Sequence, residues 1–188
     1  MDCLIRRNST TVTSLAANLG PFGPIHLDID MVARLTRLKS LWWTAERHGV
    51  LHSLLPNLES LELLGSPADR LDLNTNLTHL ELGIIPNRID ALTRLIKLRS
   101  INIYYGPDIP LSYLAALTDL EQLRVQRSFS DEFNIDLICS YLTTTKLTHL
   151  HCHCQGTKFS VEISRLTALQ ELSVGHGSQM SWLTYLKI

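Results

Sequence analysis

A run of alternating histidines is the densest group of metal-binding or reactive side chains in the sequence. It reads His149-Leu150-His151-Cys152-His153-Cys154. In an extended strand every second side chain points to the same face, about 6.6 Å apart along the backbone. The run therefore places three imidazoles on one face, and histidines at this spacing are a recurrent zinc-binding arrangement.

Two residues elsewhere bear on this possible zinc site. If the chain repeats as its leucines suggest, Glu171 lies beside His149, and the candidate metal ligands become His149, His151 and Glu171. The same alignment places Arg124 beside His151, where a positive charge opposes cation binding. We therefore expect solvated or partner-contacting histidines, with metal binding as the alternative.

Glu62 and Glu81 form a second group, because the alignment places these two carboxylates side by side. Paired carboxylates act as acid and base in catalytic clefts, but only where burial separates their pKa values. We expect an open surface here, where the pair meets basic groups on a partner. The sequence also contains no phosphate-binding glycine loop, nucleophile elbow or zinc-protease motif. It therefore predicts a protein that is not an enzyme and that needs no cofactor.

The composition is that of an ordinary globular domain. The chain has 188 residues, of which 45% are hydrophobic and 19% charged, and its formal net charge is −1. It therefore lacks the basic field that favours nucleic acid or acidic membrane surfaces. Arg6 and Arg7 precede polar residues and not an apolar signal region. Four irregularly spaced cysteines do not suggest a disulfide framework, and we expect a cytoplasmic protein.

An internal repeat organises most of the chain: apolar residues at every third position, ending in an alternating pair. One full copy is Leu92, Leu95, Leu98, Ile101 and Ile103. The fourth position of successive copies is occupied by Ile25, Leu41, Leu61, Leu80, Ile101, Leu123, Leu150 and Leu172. The exceptions in the aligned positions are His52, Asn74 and Thr144. Such a period indicates a repeat architecture in which stacked units share one core.

This pattern resembles the leucine-rich repeat family, in its 22-residue subclass, over nearly all of residues 15–188. The resemblance implies a right-handed solenoid with a parallel sheet on its concave face, where most members bind proteins. The family's asparagine after each strand is replaced here, at Glu46, Ser66, Ile85, Gly106, Ser128 and Gly177. We expect a less regular arc as a result, because the turns must satisfy their backbone groups in another way.

The predicted fold is an α/β solenoid of about eight repeats in one domain, residues 1–188. Residues 1–18 are predicted to be an N-terminal cap or flank, 19–175 the repeats, and 176–188 the start of an incomplete repeat. Short helices or 3-10 turns are expected on the convex side, with Asn87 and Ser130 as caps and Pro110 at a first helical position. An incomplete last repeat would leave a strand edge exposed and permit edge-to-edge homo-association there.

The side chains between the buried positions of each strand must face solvent, and stacking aligns them in rows about 4.8 Å apart. The central row contains Trp42, and Tyr104 lies in the row after it; both are residue types enriched at binding hot spots. The predicted partner-binding residues are Trp42, Glu62, Glu81, Asn102, Tyr104, Arg124, His149, His151 and His153. The sequence thus favours a non-catalytic module that binds a protein or peptide on its concave face.

Two alternatives to this interpretation stay open at the level of sequence. The chain can be the recognition segment of a larger receptor, ubiquitin-ligase adaptor or microbial effector, whose activity lies outside these residues. It can also bind a metal at the strand of His149, His151 and His153, which predicts stoichiometric zinc.

Overall fold

The computed structural model describes residues 11–18, 34–44, 55–64, 71, 74–84, 89–105, 111–126, 139–142, 146–153, 161–176 and 181–187. Nine strands in these ranges form one sheet in which every strand pairs with the next along the chain. The strands are Ser14–Asn18 (β1), Ser40–Thr44 (β2), Ser60–Leu63 (β3), His79–Ile84 (β4), Ser100–Tyr105 (β5), Gln122–Val125 (β6), His149–His153 (β7), Glu171–His176 (β8) and Ser181–Lys187 (β9). The first eight run parallel, and β9 runs antiparallel to β8.

The strands form where apolar and polar residues alternate. In β2 the side chains of Leu41 and Trp43 are 1% and 2% exposed, while Trp42 between them is only half-buried. The same alternation recurs in β3 and β6. Each strand therefore turns one side toward the core and the other toward solvent, as the period of two predicts.

The front half of each repeat follows from its period of three. The amide of Leu98 donates a hydrogen bond to the Leu95 carbonyl at 2.9 Å, and the amide of Leu120 donates to Leu117 at 3.0 Å. Bonds between residues three apart define 3-10 geometry, in which every third side chain points the same way. Segments of 3-10 helix are Ile89–Arg94, Leu111–Ala116 and Val161–Arg165. The predicted 3-10 turns are therefore confirmed, while most of the helix predicted after Ser130 lies outside the described residues.

The leucines of successive repeats stack into one core. Leu58, Leu77, Leu98 and Leu120 occupy the same repeat position and are fully buried. A buried leucine contributes about 1.5–3 kcal/mol relative to an exposed one, but only when its neighbours in the adjacent repeats are also present. The stability of the sheet is therefore cooperative along the stack.

Asn74 is a buried polar residue at a position that most other repeats fill with leucine. It is completely buried, and its Nδ2 donates a hydrogen bond of 3.1 Å to the carbonyl oxygen of Leu55 in the preceding repeat. On the surface Asn57 and Asn76 donate similar inter-repeat bonds, to the Thr36 and Pro56 carbonyls. Asparagine side chains thus link neighbouring repeats through the segments that precede the strands. The six positions after the strands, where the family's asparagine is replaced, lie outside the described residues, so the less regular arc stays a prediction.

The first strand differs from the prediction. Leu15 pairs with Leu41 across β1 and β2, so that residues 14–18, predicted as part of a cap, form the first strand. The interval from Leu15 to Leu41 falls within the 20–29 residues usual for this repeat, whereas the predicted interval of 16 from Ile25 does not. The prediction was wrong because β1 carries alanine at both positions after Leu15, which weakens its apolar signal. Ile25 itself lies outside the described residues.

The last strand is a second correction. Residues 176–188 were predicted to restart the front half of a repeat, but β9 is an antiparallel strand paired with β8 from Glu171 to His176. Leucines at 183 and 186 have the spacing of a front half, yet the β-formers Trp182, Thr184 and Tyr185 around them favour extended backbone. Because β9 covers the edge of β8, the outer strand at this end of the described sheet is β9, and homo-association there stays a prediction.

Candidate functional site

The solvent-facing side of the parallel strands, here called the open face, carries the predicted site residues in aligned rows. The pairing registers join equivalent residues of neighbouring strands without a slip from β1 to β8. The central row from β2 to β8 is Trp42, Glu62, Glu81, Asn102, Arg124, His151 and Ser173. This placement is the one that the repeat spacing predicts. Most members are half-buried or exposed, while Ser173 at the β8 end is buried.

Four side chains from β2 to β5 form one connected group, here called the acidic cluster: Trp42, Glu62, Glu81 and Tyr104. Trp42 is in hydrogen-bond contact with Glu62, and Tyr104 with Glu81, while the Glu62 and Glu81 carboxyl groups lie close enough to repel each other. The indole N–H of Trp42 donates to the carboxylate of Glu62, and the phenol of Tyr104 donates to Glu81. The two aromatic side chains therefore flank a pair of adjacent carboxyl groups.

Partial burial changes the acidity of this group. Burial raises the pKa of Glu62, and the neighbouring Glu81 carboxylate raises it further, while the Trp42 hydrogen bond opposes both effects. The hydrogen bond to Glu81 raises the pKa of Tyr104, and burial adds to it. Glu62 thus has more burial than the sequence analysis expected. The resulting site is a pair of carboxyl groups whose mutual repulsion would be relieved by a cation.

Asn102 lies beside the acidic cluster on β5. Its side-chain amide is in hydrogen-bond contact with Tyr104, to which Nδ2 donates. Its Oδ1 atom is buried and accepts no hydrogen bond. A buried acceptor without a donor costs about 1–3 kcal/mol relative to a satisfied one.

The other half of the open face carries basic groups. Arg124 on β6 is exposed, and its Cα pairs with that of His151 on β7. Burial lowers the pKa of His151 despite the opposing attraction of Glu171, and Arg124 and His149 lower it further. Neutral imidazole is therefore favoured at His151, with the fixed positive charge of this half on Arg124.

His149 is oriented by the threonine before it. The hydroxyl of Thr148 donates to the Glu121 carbonyl at 3.0 Å, and its oxygen lies 2.8 Å from Nδ1 of His149. With its one hydroxyl hydrogen directed to the Glu121 carbonyl, Thr148 can only accept from Nδ1, which then carries the proton of the second bond. Nε2 then faces the Glu171 carboxylate at 3.7 Å. Thr78 holds His79 in the same manner with identical distances.

These threonines are the site residues that the sequence analysis missed. The available signal was the tetrapeptide Leu-Thr-His-Leu, which occurs at 77–80 and again at 147–150. In both copies the threonine precedes the strand and fixes the imidazole that begins it. In both copies the motif thus positions a histidine at the edge of the open face.

The metal hypothesis receives no geometric support. Nε2 of His151 lies 3.6 Å from one oxygen of Glu171, and His149 approaches the other oxygen. Nevertheless, the described part of the chain contains no group of three or more histidine, cysteine or acidic side chains placed to hold a metal ion. The side chain of His153, the third predicted histidine, lies outside the described residues. The described residues also include no helix long and apolar enough to cross a membrane.

Comparison with known proteins identifies the fold. No family model and no curated protein matches the sequence. Among solved structures, an internalin (inlF) from Listeria monocytogenes matches with a TM-score of 0.63 and 22% sequence identity, over 90% of this chain and 48% of its own. A leucine-rich repeat protein of Leptospira interrogans matches with a TM-score of 0.39 and 15% identity, over 78% of this chain and 51% of its own.

The fold is therefore that of a leucine-rich repeat solenoid with eight parallel strands. The chain spans about half the length of each of the two solved structures.

Proposed function

We propose that this protein is a non-catalytic interaction module that binds a protein or peptide on its open face. The observation that carries the proposal is the acidic cluster beside Asn102 and Arg124, a continuous polar and aromatic surface from β2 to β6. Tryptophan, tyrosine and arginine are the residue types that dominate binding energy at interfaces. On the opposite side, the side chains of the same strands pack in the hydrophobic core.

Catalysis by the Glu62 and Glu81 pair is the less favoured use of the same groups. A general acid or base must reach a substrate within a site that excludes water. Trp42 and Tyr104 already donate hydrogen bonds to the two carboxylates, and the group stands on the solvent-facing row of the sheet. These contacts favour recognition over proton transfer.

Affinity isolation from native lysate tests the proposal. The wild-type chain is compared with a face variant, Trp42→Ala/Tyr104→Ala/His151→Ala, and with a control variant, Ile96→Ala/Thr118→Ala, whose exposed positions lie away from the strands. A partner retained by the wild type and the control but lost by the face variant supports binding at the open face. Equal retention by all three overturns it, provided that circular dichroism shows intact folding.

A second proposal is that the chain acts as the recognition segment of a longer receptor, adaptor or effector. It is motivated by the solved structures, of which this chain spans about half. An antibody against the chain tests it on native cells, since a band well above 21.2 kDa supports a longer protein and a band at that mass contradicts it. A cytoplasmic location also remains a prediction. So does the absence of nucleic acid and membrane among the partners. Cell fractionation tests the location.

A further inference from the structure

The open face is divided by charge along the direction that crosses the strands. The two carboxyl groups of the acidic cluster lie on β3 and β4, and the guanidinium of Arg124 lies on β6. Asn102 on β5 stands between them. Neighbouring strands are about 4.8 Å apart, so Asn102 lies about 7 Å, and Arg124 about 12 Å, from the midpoint of the carboxyl pair.

The acidic end is built to receive a cation. Glu62 and Glu81 face each other in contact although like charges on adjacent strands destabilise a sheet. Trp42 and Tyr104 add aromatic rings on either side, which attract cations through their faces. A guanidinium or ammonium group between the carboxylates would remove their repulsion and gain both interactions.

The basic end presents an unmet requirement. Asn102, between the two ends, is half-buried, and its Oδ1 is closed off from a ligand. Arg124 is exposed, and within the described ranges it forms no ion pair. A carboxylate over Arg124 would satisfy this group.

An extended peptide crossing the strands has the matching spacing. Its alternate side chains share one face and are about 6.6 Å apart, so residues one, three and five reach positions at about 0, 7 and 13 Å. A docked helix normally uses an apolar stripe in a hydrophobic groove, which this polar row does not offer. The spacing and polarity together favour an extended ligand.

We propose that the open face recognises an extended protein segment with an arginine or lysine and an acidic residue four positions apart. The cation lies between Glu62 and Glu81 and the acid against Arg124. A segment with these residues in the reverse order also fits, because it can bind with its chain running in the opposite direction. This inference rests on the proposed binding function of the open face and specifies the chemistry of its partner.

Selection from a phage-displayed library of random 12-residue peptides tests this proposal. The baits are the full wild-type chain, Arg124→Glu, and Glu62→Gln/Glu81→Gln, each confirmed as folded by circular dichroism. The wild type is expected to enrich Arg/Lys-x-x-x-Asp/Glu in either direction. Arg124→Glu is expected to replace the acidic residue by a second cation, and the double glutamine variant is expected to lose the cation and keep the acid.

A synthetic peptide measures the effect. Fluorescein-labelled Gly-Gly-Arg-Gly-Ser-Gly-Glu-Gly-Gly should bind Arg124→Glu about tenfold more weakly than the wild type, the size expected for one charge-assisted bond. Changing its glutamate to lysine should reverse that preference. No enrichment, enrichment without this charge spacing, or the same motif from Arg124→Glu overturns the proposal.

The two proposals fail separately. If the selected peptides lack the motif while the Trp42→Ala/Tyr104→Ala/His151→Ala variant still loses a lysate partner, the binding function stands and the peptide chemistry is wrong. If neither the library nor the lysate yields a ligand that depends on the open face, both are wrong.

Discussion

Glu62 and Glu81 stand directly opposite each other on adjacent parallel strands, close enough for their carboxylates to repel each other. A sheet built only for stability would avoid this pairing, since opposite-charge pairs contribute and like-charge pairs destabilise. Local choices that oppose folding concentrate at functional sites. The contact therefore links the stability of the fold to the recognition that we propose.

Glu62→Gln should make the protein more stable at neutral pH, by up to about 1 kcal/mol in the free energy of unfolding, because it removes a like-charge contact. The folded-state pKa of Glu62 is raised above 4.5, so the folded state holds this proton more tightly than the unfolded state. The destabilisation caused by ionising Glu62 in the folded protein is therefore absent below pH 4.5 and grows as pH rises through the folded pKa. Urea unfolding at pH 7 and pH 4 measures both values.

Glu59→Gln is the matched control for this experiment, because Glu59 is exposed and forms an ion pair with Lys39 at 2.8 Å. It should give no stabilisation at pH 7. A Glu62→Gln variant that is less stable than the wild type at pH 7 would contradict the interpretation of the carboxyl pair.

His151→Gln should reduce the acid sensitivity of the fold. The folded-state pKa of His151 lies below 6.5, so the unfolded state binds the proton more readily. The contribution of the neutral His151 imidazole to the free energy of unfolding is therefore complete above pH 6.5, and it is lost as pH falls through the folded pKa. The charged and titratable groups around it are Arg124, His149 and Glu171. Thermal unfolding between pH 7.5 and 5 should show a smaller fall in Tm for the variant.

His79→Gln, at the equivalent place in the other Leu-Thr-His-Leu motif, is the control for the pH series. It should leave the wild-type pH dependence in place. Parallel curves for the wild type and His151→Gln would show that burial of the His151 imidazole does not govern this range.

Thr148→Val should change the tautomer of His149. In the wild type Nδ1 donates its proton to the Thr148 oxygen, and the two heavy atoms are 2.8 Å apart. Valine cannot accept it, and the neutral ring is then free to place the proton on Nε2 toward Glu171. Long-range ¹⁵N NMR spectra of the imidazole distinguish the two forms. The strand itself should persist, because two backbone amides still donate to the Glu121 carbonyl.

Thr78→Val supplies the comparison, since it should alter the spectrum of His79 and leave that of His149 unchanged. An Nδ1-protonated His149 in Thr148→Val would refute the orienting role of the hydroxyl.

Asn74→Ala should destabilise the protein by about 1–3 kcal/mol, because it removes a buried hydrogen bond and leaves a cavity. The Leu55 carbonyl would keep only the longer bond of 3.3 Å from the Leu58 amide. Asn57→Ala removes an exposed bond of the same type, to Thr36, and should cost less than about 1 kcal/mol. Equal losses in denaturant unfolding would rule out burial as the source of the difference.

The repeat spacing predicted the sheet from β2 to β8 and the register of its open face, because a buried ladder of leucines permits no one-residue slip. It therefore placed Glu62 beside Glu81 and Arg124 beside His151 correctly. Leucine spacing could not reveal β1, whose alternation is masked by Ala16 and Ala17. Nor could it distinguish β9 from the front half of a repeat.

The contacts within the site depended on side-chain geometry that a linear pattern does not contain. The sequence placed Trp42 and Tyr104 on the open face, but their hydrogen bonds to the two carboxylates follow from side-chain conformation. The unsatisfied oxygen of Asn102 is known only once its amide is seen to serve Tyr104. Residue types thus predicted the surface, and the structure added the chemistry of its parts.

The most direct test of binding at the open face is the affinity of a purified partner, once isolated, measured by isothermal titration calorimetry. We predict that Trp42→Ala/Tyr104→Ala raises the Kd at least about thirtyfold, since each anchor contributes at least about 1 kcal/mol. The Ile96→Ala/Thr118→Ala control should leave the Kd unchanged. Equal Kd values for the wild type and the face variant, with both folded, would contradict the account.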